Sequence, residues 1–289
     1  MPVQSCHPLV GVARWINARE LYIDVDLLGA TDPAPSGGEW TRLDRMPDRV
    51  PELIALLLER SCAGYTTSAA AFLASDAARQ VLAFACVAAY LTGRAPDLAP
   101  QRTWVRHDPE TGRLDRLALR QGAVAVVDGD PMARRPGAVC VSDEDALDAW
   151  FMGAAVAALE PVIDAVRAHT RYGTRAQWSM VADAPHAALI GASYEIGADQ
   201  RTAWERARRM VEWINADRAR VTPKQRPFPL VLAGQPEHRP ERMFMVRGGC
   251  CFYYRFGGAK CAICPLSSDE RRESVLREHF EPTTAPTTS

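Results

Sequence analysis

The sequence predicts a mainly α protein with a small β component, an α+β chain in which a helical bundle carries a short hairpin or sheet region. Three observations predict this class. Long segments rich in Ala and Leu have apolar residues at helical spacing, and a few short alternating segments are separated by Pro and Gly. A cysteine-rich loop near the end of the chain precedes a final helix. The 289 residues, 47% of them hydrophobic, suffice for a sizeable core.

The N-terminal region, 1–128, combines helices with a hairpin. Segments 48–65 and 66–91 are Ala- and Leu-rich and begin with capping residues, which predicts two or three helices. Two short stretches, 103–107 and 113–117, flank a turn that contains Pro and Gly, so we expect a β-hairpin. Residues 123–127 add a strand.

A loop at 129–139 concentrates turn-forming residues and is the predicted domain boundary. The region after it, 140–221, is predicted to be a helical bundle. Its first helix follows the N-cap signature around Asp143 and extends to His169, with a kink or break at Pro161.

Two further helices complete this bundle, one over 174–196 that is interrupted at Pro185 and one over 200–218. The last helix interleaves arginines with glutamates, which is typical of a solvent-exposed face. The arginines expected on that face are Arg201, Arg206, Arg208 and Arg209.

The C-terminal region, 222–281, contains two short predicted strands, 228–232 and 243–246, that lead to the cysteine loop. Ser268 then caps a charged helix that ends near Phe280. The segment 282–289 is rich in Thr and Pro and is predicted to be a disordered tail.

Charge and hydropathy restrict the class of partner. The 34 basic and 35 acidic residues nearly balance, so we expect no nucleic-acid partner. The N-terminal residues lack the basic and apolar regions of a secretory signal, and the longest strongly apolar run, 81–91, is too short to span a bilayer. We therefore expect a cytoplasmic protein with no transmembrane segment and at most a transient proximity to a membrane.

Four of the eight cysteines fall within fifteen consecutive residues: Cys250, Cys251, Cys261 and Cys264. Crowded thiolates repel one another, so this spacing predicts a bound metal, as a single zinc ion, a single iron ion or an iron-sulfur cluster. Neighbouring residues of an extended chain project to opposite sides, which makes a vicinal pair awkward on one small tetrahedral ion. A cluster spreads its ligand sites over a wider volume.

The residues around the cysteines suit an anionic cluster. Arg247, Arg255 and Lys260 provide positive charge, and four glycines allow the backbone to approach the sulfurs closely. Three aromatic residues, Phe252 to Tyr254, are expected to shield one side from solvent. Among the scattered cysteines, Cys86 is predicted to be a small core residue.

This segment resembles the C-terminal signature of the ferric siderophore reductases of the FhuF type. The resemblance rests on Arg247-Gly248-Gly249-Cys250-Cys251-Phe252-Tyr253-Tyr254-Arg255 and on Cys261-Ala262-Ile263-Cys264-Pro265, with a central gap of nine residues where the family pattern has ten. It implies that the four cysteines ligate a 2Fe-2S cluster. It also implies one-electron reduction of iron(III) held by a siderophore.

No glycine-rich dinucleotide-binding turn follows a strand in the sequence, so electrons should come from an external donor such as a ferredoxin, a flavodoxin or a flavin reductase. Two other functions stay open at this point. The cysteines would hold zinc in a structural or interaction module, or the protein would bind siderophores or carry electrons without being an enzyme.

Overall fold

Seven α-helices and nine strands form the part of the chain that the computed structural model describes, residues 7–19, 21, 23–236 and 240–281. The helices are α1 (Val10–Asn17), α2 (Met46–Arg60), α3 (Thr66–Thr92), α4 (Glu144–His169), α5 (Thr174–Glu195), α6 (Gln200–Glu212) and α7 (Asp269–Phe280). The strands are β1 (Asp24–Leu28), β2 (Trp40–Arg42), β3 (Arg94–Pro96), β4 (Thr103–His107), β5 (Leu114–Arg120), β6 (Val124–Val127), β7 (Ala138–Val141), β8 (Arg226–Val231) and β9 (Glu241–Val246). The predicted class is confirmed, since helix predominates and the strands are short. The tail 282–289 lies outside the described residues.

The strands form three small sheets, of order β1-β5-β4-β2, β3-β6-β7 and β8-β9. The predicted hairpin is confirmed as β4 and β5, which pair antiparallel with Trp104 opposite Ala118. The strand predicted at 123–127 is β6. It pairs in parallel with β7, so the strands on the two sides of the loop at 129–139 belong to one sheet.

Helix α3 lies at the centre of the bundle, packed against α4 and α5. Most of its side chains are buried on every side, and many are alanines, which let neighbouring helices approach closely. It ends at Gly93, whose left-handed backbone (φ 65°) lets its N–H bond to Ala89 O at 3.1 Å. Cys86, predicted to be a core residue, is fully buried in this helix.

The prolines of the bundle do not break their helices. Pro161 lies within α4 and Pro185 within α5, and both helices continue through their prolines, so the break considered at Pro161 and the interruption expected at Pro185 are wrong. Each proline lacks one N–H, but each helix buries apolar residues before and after its proline, and this packing outweighs the lost hydrogen bond. The predicted N-cap is confirmed, since Asp143 Oδ1 accepts from Ala146 N at 2.8 Å.

One arginine of α6 is not on the solvent-exposed face. Arg206 is 5% exposed, and its guanidinium donates to both carboxylate oxygens of Asp148 on α4, at 3.0 and 2.9 Å. The prediction was wrong for this residue because an ion pair across the bundle draws it inward. The other three arginines are exposed as predicted. The helix itself ends at Glu212 and is followed by one 3₁₀ turn.

Two helices, α3 and α4, are long and apolar enough to cross a membrane if only length and composition are considered. The most apolar window of α3 is 89% buried inside the fold, and that of α4 is 50% buried. The apolar run 81–91 is therefore one part of a 27-residue helix that packs against other helices.

The C-terminal hairpin and α7 hold the cysteine segment, residues 247–268, at its two ends. Both predicted strands are confirmed as β8 and β9, which pair antiparallel. Leu230 of β8 and Phe244 of β9 form a small core with Leu276 of α7. Ser268 caps α7 as predicted, since its Oγ accepts from Arg271 N at 3.4 Å. The segment is thus a loop with fixed ends.

Candidate metal centre

The cysteine segment leaves β9 at Arg247 and turns twice before it reaches α7. A left-handed residue, Phe252 (φ 57°), follows the vicinal cysteines directly and opens a single 3₁₀ turn, Tyr253–Arg255. A side chain in this backbone region is uncommon and marks a local constraint. A second turn, closed by Cys264 N donating to Cys261 O at 3.0 Å, contains the other two cysteines.

The structure brings the four predicted cysteines together as two sulfur pairs. Cys250 Sγ lies 4.0 Å from Cys264 Sγ, and the thiols of Cys251 and Cys261 are close enough to shift each other's pKa. The vicinal cysteines therefore face different partners, as expected for successive residues of an extended segment. Cys264 is 3% exposed and the other three are half-buried, so the centre lies close to the protein surface.

Within the described residues, no group of three or more His, Cys, Asp or Glu side chains is arranged to hold one metal ion. The paired sulfurs nevertheless fit a cluster with two metal sites. Two thiolates on one tetrahedral ion, with metal–sulfur bonds of about 2.3 Å, lie about 3.8 Å apart, close to the 4.0 Å between Cys250 and Cys264. A 2Fe-2S cluster needs two such pairs.

Backbone N–H groups are directed at three of the four sulfurs. Hydrogen bonds of this kind stabilise thiolates and cluster sulfurs, because they place partial positive charge beside the negative sulfur. The donors are Phe252 N to Cys250 Sγ at 3.3 Å, Leu266 N to Cys264 Sγ at 3.4 Å and Tyr253 N to the Cys251 sulfur.

The metal-free thiols differ in acidity. The hydrogen bond from Cys261, the N–H of Tyr253 and the charge of Arg247 lower the pKa of Cys251 to about 5. The pKa of Cys261 is raised, because its thiol proton is shared with the Cys251 thiolate. Burial raises the pKa of Cys250 to about 11. Of the two neighbouring thiols, Cys251 therefore ionises more easily than Cys261, and a bound metal must displace the protons that remain.

A buried ion pair connects the segment to the helical bundle. Arg247 Nε donates to Asp183 Oδ2 at 2.9 Å, and the two side chains are 15% and 7% exposed. Asp183 Oδ1 also accepts from Gly248 N and from Gln225 Nε2, each at 2.8 Å. Burial alone would lower the pKa of Arg247, but Asp183 and the thiolates of Cys251 and Cys261 raise it, so the arginine stays charged beside the sulfurs.

Gly249 lies where the cysteine segment touches α5. A Cβ at this position would lie 2.7 Å from Met180 Cε, closer than side chains normally approach. The same methionine accepts from Arg247, whose Nη2 lies 3.0 Å from Met180 Sδ. The backbone before the vicinal cysteines is therefore pressed against the helix.

A second buried carboxylate, Asp76 of α3, was not identified from the sequence. It accepts from Arg113 Nε at 2.6 Å and from Arg79 Nη2 at 2.8 Å, and Arg113 in turn interacts electrostatically with Cys251. Asp76 and Asp183 are each a lone carboxylate in a mostly apolar stretch of helix. That pattern is the signal that could have revealed them, because a buried charge requires a partner.

The cations named from the sequence divide into one that acts at the sulfurs and two with other contacts. Arg247 lies beside Cys251 and Cys261. The Arg255 guanidinium lies 5.1 Å from the Phe252 ring centre, and Lys260 Nζ donates to Leu266 O at 2.8 Å.

Aromatic rings pack the segment onto the bundle. Phe256 stacks on Tyr65 with ring centres 5.7 Å apart, and the Phe252 ring meets Tyr172 edge-on at 6.4 Å. Tyr253 contacts Phe256 but is 43% exposed, so the predicted aromatic shield is partly open to solvent.

Residues 74–191 match the family model described as "Ferric iron reductase FhuF-like transporter". This part of the chain is FhuF-like. The match agrees with the family that the cysteine segment resembles, although the matched residues end before that segment begins. It supports a ferric iron reductase type of function in general. No curated protein matches the chain.

The FhuF-like residues and the cysteine segment meet at the buried ion pair. Asp183, Met180 and Ser75 all lie within the matched range, and all three contact Arg247, with Arg247 Nη2 3.2 Å from Ser75 Oγ. The helical body thus positions the residue that precedes the cysteines. The part of the chain that matches the family model and the cysteine segment, which lies outside the match, therefore contact each other at Arg247.

Proposed function

We propose that this protein is a cytoplasmic siderophore-iron reductase that uses a 2Fe-2S cluster held by Cys250, Cys251, Cys261 and Cys264. The observation that carries the proposal is that the cysteine sulfurs lie beside a buried arginine, Arg247, which FhuF-like helices hold in place through Asp183. The four cysteines would hold the cluster, which would supply one-electron transfer between an external donor and iron(III) of a docked ferric siderophore, so that iron(II) is released.

The chemistry of the substrate explains why one electron suffices. Siderophores are hard oxygen ligands that hold iron(III) much more tightly than iron(II), so reduction weakens the complex. The chelate needs no covalent bond to the protein. For electron transfer, the chelate needs only to come close to the half-buried cysteine sulfurs at the protein surface.

The residues of the site have separate tasks in this proposal. The four cysteines bind the metal, and the N–H donors stabilise their negative charge. Arg247 stays charged beside the sulfurs and thereby favours an additional negative charge at the centre. Asp183 orients this arginine through Nε and fixes the backbone of Gly248.

The electron donor is proposed to be a separate ferredoxin, flavodoxin or flavin reductase. The sequence has no dinucleotide-binding turn of the Gly-x-Gly-x-x-Gly type after a strand, which supports a donor outside this chain.

The test begins with the colour of anaerobically purified protein. A 2Fe-2S protein is red-brown, and dithionite bleaches its visible absorption and produces an EPR signal. A colourless protein that contains one equivalent of zinc would identify the zinc module instead. Metal analysis on the same sample separates these two outcomes.

Turnover separates an enzyme from an electron carrier or a siderophore-binding protein. The reduced protein is mixed anaerobically with a ferric siderophore and an iron(II) trap, and the coloured iron(II) complex is followed in time. Catalytic formation of this complex with an excess of electron donor supports the reductase. A cluster-loaded protein that stays reduced in the presence of the chelate would contradict it.

A further inference from the structure

We propose that the four cysteines divide between the two irons as the sulfur pairs of the structure do, with Cys250 and Cys264 on one iron and Cys251 and Cys261 on the other. This inference rests on the proposed function, because it requires the cluster. The proposed function names only the four ligands. Four ligands can be divided in pairs between two irons in three ways, and this inference selects one of them.

The contacts of the sulfurs favour this division. The 4.0 Å between Cys250 Sγ and Cys264 Sγ is close to the roughly 3.8 Å that two thiolates on one tetrahedral ion require. With Cys250 and Cys264 on one iron, Cys251 and Cys261 remain for the other, and these two thiols also interact electrostatically with each other. Both pairs join the two turns of the segment, so each iron would link the first turn to the second.

The division that the sequence spacing alone suggests is different. Cys261 and Cys264 have the Cys-x-x-Cys spacing that often holds one metal ion. In that division the vicinal pair, Cys250 and Cys251, would bind the second iron. In the structure, however, the Cys264 sulfur is turned towards Leu266 N and Cys250, whereas the Cys261 thiol is turned towards Cys251.

The backbone explains the separation of the vicinal pair. Neighbouring residues project to opposite sides of an extended strand, and the left-handed Phe252 then bends the chain away directly after Cys251. Phe252 N also donates to Cys250 Sγ at 3.3 Å, which fixes the position of that sulfur. Each vicinal cysteine therefore meets its own partner in the second turn.

The first test traps the sulfur pairs in the metal-free full-length protein, with diamide as the oxidant. Each double serine variant leaves two of the four cysteines, in a background that carries Cys6→Ser and Cys140→Ser. Trypsin cleaves after Arg255 and Lys260, between the two turns, so a disulfide across the turns joins two peptides and is identified by mass. The four variants are C250S/C264S, C251S/C261S, C250S/C261S and C251S/C264S.

The first two variants keep a predicted pair, and the last two are matched controls that keep one cysteine of each pair. We expect the predicted pairs to cross-link roughly tenfold faster than the controls, because their sulfurs are already in contact. Circular dichroism verifies that all four variants fold. Equal rates in all four, or faster cross-linking in the controls, would overturn the proposed pairing.

The second test uses the reconstituted protein and single serine variants. Serine oxygen is a harder ligand than cysteine sulfur and favours iron(III) at the iron it binds. Variants that alter the same iron should therefore give similar EPR g-values and similar potential shifts after reduction. Cys250→Ser should resemble Cys264→Ser, and Cys251→Ser should resemble Cys261→Ser.

The two levels of the hypothesis fail in different ways. Spectra that group Cys250→Ser with Cys251→Ser would overturn the division while leaving the cluster in place. Spectra that group Cys250→Ser with Cys261→Ser would do the same. A wild-type protein without visible absorption after reconstitution would overturn the cluster, and the division with it.

Discussion

Replacing Asp183 with asparagine tests whether the helical body holds the cysteine segment in place. The substitution keeps the size of the side chain and removes its charge. The amide oxygen of the new side chain can still accept from Gly248 N and Gln225 Nε2, but its amide nitrogen would then face Arg247 Nε, donor against donor. The Arg247 guanidinium, 15% exposed, would lose its counterion.

The burial of the Asp183–Arg247 ion pair sets the size of the expected loss in the free energy of unfolding. Removing one partner of a buried ion pair typically costs about 3–5 kcal/mol, and two of the three hydrogen bonds to Asp183 survive, so we expect about 3 kcal/mol. The loss is measured as a shift of the urea unfolding midpoint. The substitution should also release the cluster faster, since it loosens the backbone directly before Cys250, and this release is followed by visible absorption in the presence of an iron chelator.

Asp148→Asn is the matched control. Asp148 and Arg206 form an ion pair of similar burial, 2% and 6% exposed, but it joins α4 to α6 rather than the cysteine segment to the bundle. We expect Asp148→Asn to destabilise the fold somewhat less, because Arg206 keeps Glu144 as a second counterion at 3.1 Å, and to leave cluster release unchanged at low urea. If both variants release the cluster equally fast, or if Asp183→Asn unfolds at the wild-type midpoint, the assigned role of Asp183 is wrong.

Three further predictions concern the ligands, a close backbone contact and pH. Cys261→Ser should strongly reduce the iron and sulfide content of the reconstituted protein, whereas Cys86→Ser should leave it unchanged; normal content in the first variant would show that the ligands are wrongly assigned. Gly249→Ala should cost about 1 kcal/mol because the flexible end of a methionine side chain of α5 must move away from the new methyl group, whereas Gly153→Ala, in open space on α4, should stabilise by about 0.5–1 kcal/mol, both measured by urea unfolding. Burial lowers the pKa of His7 from 6.5 to about 4, so the unfolded chain binds a proton first, and stability that is fully present above pH 6.5 decreases as the pH falls towards 4. The decrease between pH 7 and 5 should be smaller in His7→Asn, and equal slopes would refute the assignment.

Much of the fold could be predicted because it depends on local signals. Asp143 and Ser268 cap helices where the sequence indicated, and the hairpin of β4 and β5 follows its Pro/Gly turn. The sequence-based predictions that were wrong concern residues whose conformation depends on long-range packing. Pro161 is compatible with an unbroken α4, and Arg206 is buried, since contacts with distant residues outweigh the local preference.

The residues of the candidate site also divide into those that local sequence predicts and those that depend on distant contacts. The cysteines and Arg247 could be identified from their spacing, but Asp183 and Asp76 lie in helices more than sixty residues before the segment. Nothing in the local sequence connects an aspartate of α5 with an arginine after β9. Only a lone carboxylate in an apolar stretch indicates that a partner must come from elsewhere.

The sequence by itself determined the helical class, the crowding of four cysteines in one loop and the resemblance of that loop to a family of iron reductases, because composition, period and spacing are local properties of the chain. Only the tertiary structure decided which cysteine meets which and what holds them. The sulfur pairs run between two turns, and the arginine beside them is fixed by a carboxylate on a distant helix. Burial makes that long-range contact necessary, since an ion removed from water is stable only beside its counterion.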